Sequence, residues 1–597
     1  MKLHRQYLRL HARYGGDAEG STTLEEIGRL LECTPRNATN IVREMSRSGW
    51  ISWEASRGRG KRSVLRFLVQ PEEIAAQAMM AAMNRKDMTQ AIGELRDYRS
   101  ASLQEHLQGW LLSYFGHHAE IRSDRRYDTF RLPIRQPLRT VDPLYMNLLA
   151  ESFVASHVFD GLVRRTQRRE EIAPGIAHAW DVDDGRTGWT FHLRKEVLFH
   201  HGKVLTADDV VYTFERLVRS TRRTLYGHIY KGISSVRAID ANTVRFTLEE
   251  PNELFLPFLC TSRAAIVPKD LNQLGSLRFG HAPLGTGPFK VAEMNEGICV
   301  LEAFSSHFQG RAHLDRVEIV HVPWEAVPSG GTDKPHGDGG SGGAAKSGNS
   351  GGAALTGGTM DGASGPGAET LSPFHVIHSP SSAERGWSHI HSDTTVRKFV
   401  TCNTKKTGPL SDPAERARLF ASIGKSVGRS ADAAGEPVAL QLATITPYRA
   451  DAEALAAKLG ERGYACRVVC VPPEEFKGDV RLASDLILFS SLRDQDEQLR
   501  LYDLYLTIAE HVDAHTRIDI EIALRRVDKE ADPTVRSFEL GKVEQLLIKE
   551  RQLYILSERP LPTAYLPSVR GVTFNSQGWV NLRTIWFPPK ETSIDGG

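Results

Sequence analysis

Apolar residues recur at helical spacing three times within the first fifty positions of this chain. Tyr7, Leu8, Leu10 and Tyr14 mark one amphipathic stretch, and Leu24, Ile27, Leu30 and Leu31 mark a second. The third, "TPRNATNIVREM" from Thr34, sets Ala38, Ile41, Val42 and Met45 at i, i+3, i+4 and i+7. Arg36, Asn37, Asn40, Arg43 and Arg47 then fall on the rest of its surface. Thr34 is a capping residue type, Pro35 suits the first helical position and Gly49 suits a left-handed stop, which bounds a helix of about 14 residues. Behind it, "WISWEASRGRGKRSVLRFLV" reads as two strand-like runs around a Gly- and Arg-rich turn.

Helix, helix, short turn, helix and basic hairpin is the order of a winged helix-turn-helix. Its side chains suit double-stranded DNA as the partner. Arg and Asn can make bidentate contacts with base edges in a major groove, and Thr34 sits at the start of the same helix. A turn carrying Arg57, Arg59, Lys61 and Arg62 would reach phosphate or a minor groove. Charge sharpens this reading: residues 1–70 hold thirteen Lys and Arg against seven Asp and Glu, an excess of +6 in a chain whose formal total is +2. The basic surface is therefore local.

Residues 71–120 are rich in helix-forming Ala, Leu, Met, Gln and Glu, and Pro71 with Glu72 and Glu73 suits a helix start. They are expected to form a helical linker that offers a face for a homodimer. From about 121 the pattern changes to short alternating runs with turns between them. Asp183, Asp184 and Gly185 predict a turn, Trp189 to Leu193 a strand, and Thr206 with Asp209 a capped helix start. Residues 327–370 contain no aromatic side chain and only Leu355 and Met360 as large apolar ones, so they are expected to be a flexible Gly-rich insertion. They separate a body spanning 121–326 and 371–590.

At 597 residues, several domains are required. The N-terminal sequence has no apolar run of signal-peptide or membrane-span length, and the six cysteines are dispersed, so a cytoplasmic protein with reduced thiols is expected and a membrane partner is not. Cys466 and Cys470 read as core residues of a strand. No enzyme is expected, nor any cofactor or metal. The adjacent His200 and His201 would face opposite sides of a strand, and neither a nucleophile elbow nor a phosphate-loop spacing occurs.

The stretch "LEEIGRLLECTPRNATNIVREMSRSGWISWEASRGRGKRSVLRF" resembles the N-terminal DNA-binding domain of the SgrR family of bacterial transcriptional regulators. Further on, "WTFHLRKEVLFHHGKVLTADDVVYTF", "GTGPFKV", "CNTKKTGPLSDP" and "YLPSVRGV" resemble the family 5 solute-binding proteins of ABC importers. Together the resemblances imply a multidomain chain: a mostly α winged helix-turn-helix on a two-lobed α/β body of the class II periplasmic-binding type, which closes on a ligand. They imply a ligand-responsive transcription regulator whose body senses a peptide, oligosaccharide, sugar-phosphate or other small molecule. The alternative is the substrate-binding component of a peptide-type importer.

Peptide-binding relatives carry a Trp and an Asp after a strand of the second lobe. The matching segment here, "ASDLILFSSLRDQDEQL", has no Trp. Asn403, Ser490, Ser491 and Arg493 are the candidate ligand contacts, the Ser/Arg group being suited to a phosphate or carboxylate. A charged loop after a buried strand is the other reading of the same residues.

Overall fold

The computed structural model describes residues 2–15, 19–56, 62–84, 114–134, 136–166, 171–221, 224–271, 275–321, 388–424, 437–476, 478–494, 496–565, 569–574 and 579–588. Arg57, Arg59 and Lys61 of the expected wing, the later part of the linker and the Gly-rich insertion lie outside them.

Three helices open the chain: α1 (Lys2–Tyr14), α2 (Leu24–Leu30) and α3 (Pro35–Arg47). A three-stranded sheet completes the head, with β1 (Glu19–Thr22), β3 (Ser63–Phe67) and β2 (Ile51–Glu54) in that spatial order. The apolar stripe of α3 is buried in full, and it packs with Tyr7, Leu10, Ile27, Ile51 and Leu65 into one core. Helix α4 (Pro71–Asn84) starts at the expected proline, and Ile74 enters that same core. Strand β1 was not expected. "EGST" has no apolar alternation, and its place is fixed by antiparallel pairing with β3 more than forty residues away.

The body holds three main sheets. Phe289–Met294, Ile298–Ala303, Arg316–His321, Arg125–Ile134 and Gly116–Arg122 form a mixed five-stranded sheet in that order, in which Arg316–His321 runs parallel to Arg125–Ile134. Its core takes in the helix Leu149–Val158 and the C-terminal residues Trp579 to Phe587. A four-stranded antiparallel sheet follows the order Ile233–Asp240, Thr243–Leu248, Gly188–Leu193 and Ala177–Val182. The third sheet has the order Tyr464–Val471, Val438–Ile445, Leu486–Arg493, Ser388–Cys402 and Leu553–Tyr565. Its last two members pair from Ser388 opposite Tyr565 to Thr401 opposite Leu553. Pro560 and Pro562 are tolerated because Leu553–Tyr565 is an edge strand.

The long family-like motifs turn out to be joints. Asp209 accepts hydrogen bonds from the Thr206 N–H (2.8 Å) and hydroxyl (3.1 Å), capping the helix Ala207–Arg219 as the sequence predicts. His200 of "FHHG" accepts from the Gly285 N–H (3.2 Å) and lies 3.0 Å from the Gly287 carbonyl, locking that motif onto "GTGPF". A Cβ at Gly285 would sit 1.9 Å from the Val158 carbonyl oxygen, so only glycine fits this approach.

His157 ties the helix Leu149–Val158 to the C-terminal segment. Its Nδ1 lies 2.9 Å from the Phe153 carbonyl and its Nε2 accepts the Leu582 N–H at 3.1 Å, so both neighbours hold the neutral ring. Burial depresses its pKa to about 4. The unfolded chain then binds the proton first: the stabilisation is complete above about pH 6.5 and is lost as pH falls towards 4, up to roughly 3 kcal/mol for this buried group. Urea unfolding of His157→Gln is expected to show lower stability at pH 7 but a shallower decline between pH 6.5 and 4.5 than the unaltered chain. Parallel pH curves for the two would contradict it.

Candidate DNA interface and sensor body

Helix α3 presents its polar side as a single exposed surface. The Thr34 hydroxyl caps it by accepting the Asn37 N–H at 3.3 Å, and Ser48 closes it beside Gly49, whose φ is +70°. Arg36, Asn37, Asn40, Arg43 and Arg47 are all exposed along these 13 residues, opposite the buried stripe. A short turn through Glu32, itself at φ +51°, connects α2 to α3. Side chains that can read base edges are therefore held on a helix whose other side cannot rotate out of the core.

Arg62 of the expected wing is tied to the head. Its guanidinium donates to both oxygens of Glu26 (3.0 and 2.8 Å) and to the Ser21 carbonyl (3.2 Å). Glu26 in turn accepts from Thr22 and from the Thr23 N–H at the start of α2. Arg62 thus fastens the hairpin to α2 through Nε and Nη2.

In the body, the four candidate ligand contacts do not form one site. Asn403 is buried. Its amide donates to the carbonyls of Leu482 (2.7 Å) and Ser484 (2.9 Å), while its oxygen accepts the Lys406 N–H (3.1 Å), so it ties its own turn to the end of the helix Asp479–Ala483 and both its amide hydrogens are used. Ser490 bonds the Tyr448 hydroxyl at 2.5 Å. Ser491, its neighbour along the strand, points to the other side and is only half-buried. The Arg493 guanidinium is held by Glu497 and, at 3.0 Å, by Glu558. These carboxylates engage Nε and Nη1 of the guanidinium, so a phosphate here would compete with them.

The next residues are buried instead. Asp494 and Arg500 pair at 3.0 Å, and burial pushes the Asp494 carboxyl up to about 6 despite that guanidinium. Asp496 pairs with Arg165 at 3.2 Å, with side chains 1% and 8% exposed. Arg165 comes from the strand Val163–Arg165 and Asp496 precedes the helix Glu497–Ala509, more than three hundred residues on. This ion pair spans a seam, and so do the bonds from the Tyr226 N–H to Asp503 (3.0 Å) and from the Glu253 N–H to the Asp528 carbonyl (2.7 Å). Phe255, Phe258, Tyr502 and Tyr505 join both sides in one apolar core.

A cavity of about 360 Å³ opens along this seam, lined by Thr224, His228, Asp503, Thr507, Glu510 and Arg517 among others. The His228 ring stacks on Tyr502 (4.2 Å between centroids, planes 15° apart), and burial lowers its pKa to about 4. No local pattern marks this region, because "EQLRLYDLYLTIA" reads as an ordinary helix and its partners lie some 270 residues away. Among the described residues no group of three His, Cys, Asp or Glu could hold a metal ion, and no helix is long and apolar enough to cross a membrane.

Residues 2–118 match the family model described as the N-terminal domain of sugar transport-related sRNA regulators, and residues 171–417 match the middle region of bacterial extracellular solute-binding proteins of family 5. An uncharacterised protein of Bacillus subtilis, YhjP, is 34% identical over 327 residues, and the HTH-type transcriptional regulator SgrR of Pectobacterium atrosepticum is 30% identical over 329. Each alignment covers 54% of this chain, which spans about half the length (55%) of these curated relatives. Among solved structures, a periplasmic binding protein of Helicobacter pylori, DppA, in complex with the peptide STSA superposes with a TM-score of 0.56 at 18% identity. It covers 77% of this chain and 98% of its own, which fixes the two-lobed binding-protein fold.

Proposed function

We infer, for a chain that joins the N-terminal domain of the sugar transport-related sRNA regulators to the body of the family 5 solute-binding proteins, that it is a DNA-binding transcription regulator whose body senses a small molecule. The exposed polar side of α3 carries this reading: five Arg and Asn side chains stand on a capped helix whose opposite side is locked in a core. The body supplies the sensing half. Its two lobes meet at a seam with a cavity, and a ligand contacting both sides favours the closed arrangement by its differential affinity. Any effect of that ligand on DNA binding must be matched by an equal effect of DNA on the ligand. In this reading the protein works in the cytoplasm, with double-stranded DNA and a small molecule or peptide as partners and a homodimer formed through the segment that begins with α4.

A gel-shift assay with the DNA upstream of the gene tests the reading. A discrete complex that survives excess unrelated DNA is expected. Absence of any complex at low salt would remove the regulator function and leave importer-type solute binding as the account of the body.

A further inference from the structure

Helix α1 carries Lys2, Arg5, Arg9 and Arg13 and not one acidic residue. Tyr7 and Leu10 are wholly buried, and the Tyr7 hydroxyl donates to the Val69 carbonyl at 2.5 Å, so the orientation of the helix is fixed. Arg5, Arg9 and Arg13, at i, i+4 and i+8, are exposed on the outer side. This arrangement works against the helix. Like charges four residues apart repel, and Arg5 puts positive charge in the first turn, where the helix dipole is already positive and no acidic residue offsets it. A polyanion along the outer side would turn the repulsion into attraction.

The location indicates which polyanion. Arg9 lies 3.7 Å from Glu32 in the turn that leads into the Thr34 cap of α3, and this pair is a loose surface contact, with side chains 58% and 82% exposed. Exposed Arg29 borders the same turn. The α1 stripe thus reaches the end of α3 where backbone N–H groups favour a phosphate. Arg5 to Arg13 spans about 12 Å at the helical rise, comparable to three or four base-pair rises along the DNA axis.

We propose that Arg5, Arg9 and Arg13 form a second DNA contact, a phosphate-backbone clamp continuous with the N-terminal end of α3 that adds affinity without reading sequence. The proposal rests on DNA binding by α3, and the test separates the two. Fluorescence anisotropy of the full chain on its bound DNA segment and on an unrelated duplex, over a range of salt, compares the unaltered protein with R5Q/R9Q/R13Q and R5K/R9K/R13K. The Gln variant is expected to lose at least about tenfold on both duplexes and to flatten the salt slope by between about 1 and 3, while the Lys variant keeps the slope. An unchanged urea midpoint shows that the head remains folded. Equal affinity and slope for the Gln variant would overturn the clamp while leaving the α3 reading intact. No binding by the unaltered chain to any duplex would overturn both.

Discussion

Replacing Arg36 and Asn40 together with alanine is expected to weaken binding to the specific DNA segment by about 2–6 kcal/mol, some thirtyfold to more than ten-thousandfold, because each bidentate base contact is worth about 1–3 kcal/mol. Both side chains are exposed, on the first three turns of α3, and neither enters the core built on Ala38, Ile41, Val42 and Met45. Alanine is also the best helix former, so the fold of the head should not suffer. Binding to unrelated duplexes should fall far less, since that rests on phosphate contacts. A uniform loss on all duplexes would show that these two residues hold backbone and do not read bases. An unchanged preference would move the reading surface off the N-terminal turns of α3.

The second large effect concerns the seam of the body. Arg165→Met removes the guanidinium from a carboxylate, Asp496, that is 1% exposed, and breaking a buried pair from one side costs about 3–5 kcal/mol. Replacing both charges in R165M/D496L is expected to restore most of the loss, because a buried pair exchanged for apolar side chains of similar size is often close to neutral. The same pair joins the strand Val163–Arg165 to the helix Glu497–Ala509, so the single variant should also loosen the seam beside the cavity. Equilibrium unfolding in urea gives the stability, and amide exchange across residues 497–509 reports the loosening. A cost below about 1 kcal/mol for Arg165→Met would show that the pair is solvated in solution and holds nothing together.

Which parts were legible in the sequence follows from how far apart the interacting residues lie. Helix α3 was readable almost to the residue, because its cap, proline, apolar stripe and stop glycine all act within one short stretch. The capped start at Thr206 was legible for the same reason. Strand β1 was not, since four polar residues carry no period and only β3 makes them a strand. Arg62 looked like a phosphate contact because Glu26, its partner, is 36 positions away. Arg493 looked available because Glu558 is 65 positions away, and Asn403 because the carbonyls it clamps, at the end of the helix Asp479–Ala483, lie some eighty residues on. In each case the residue type announced a polar bond correctly, while tertiary structure decided with whom it was made. The seam with Arg165, Tyr226 and Asp503 is built wholly from such distant pairs, and no local pattern could have signalled it.

Selection from fragmented genomic DNA tests the output role of α3 most directly. The unaltered full chain and the R36A/N40A variant are each incubated with the same fragment pool at near-physiological salt, and the retained DNA is sequenced. A small set of fragments sharing one sequence element, enriched by the unaltered chain and not by the variant, is the expected result. The same unselective fragment set from both proteins, or none from either, would contradict it.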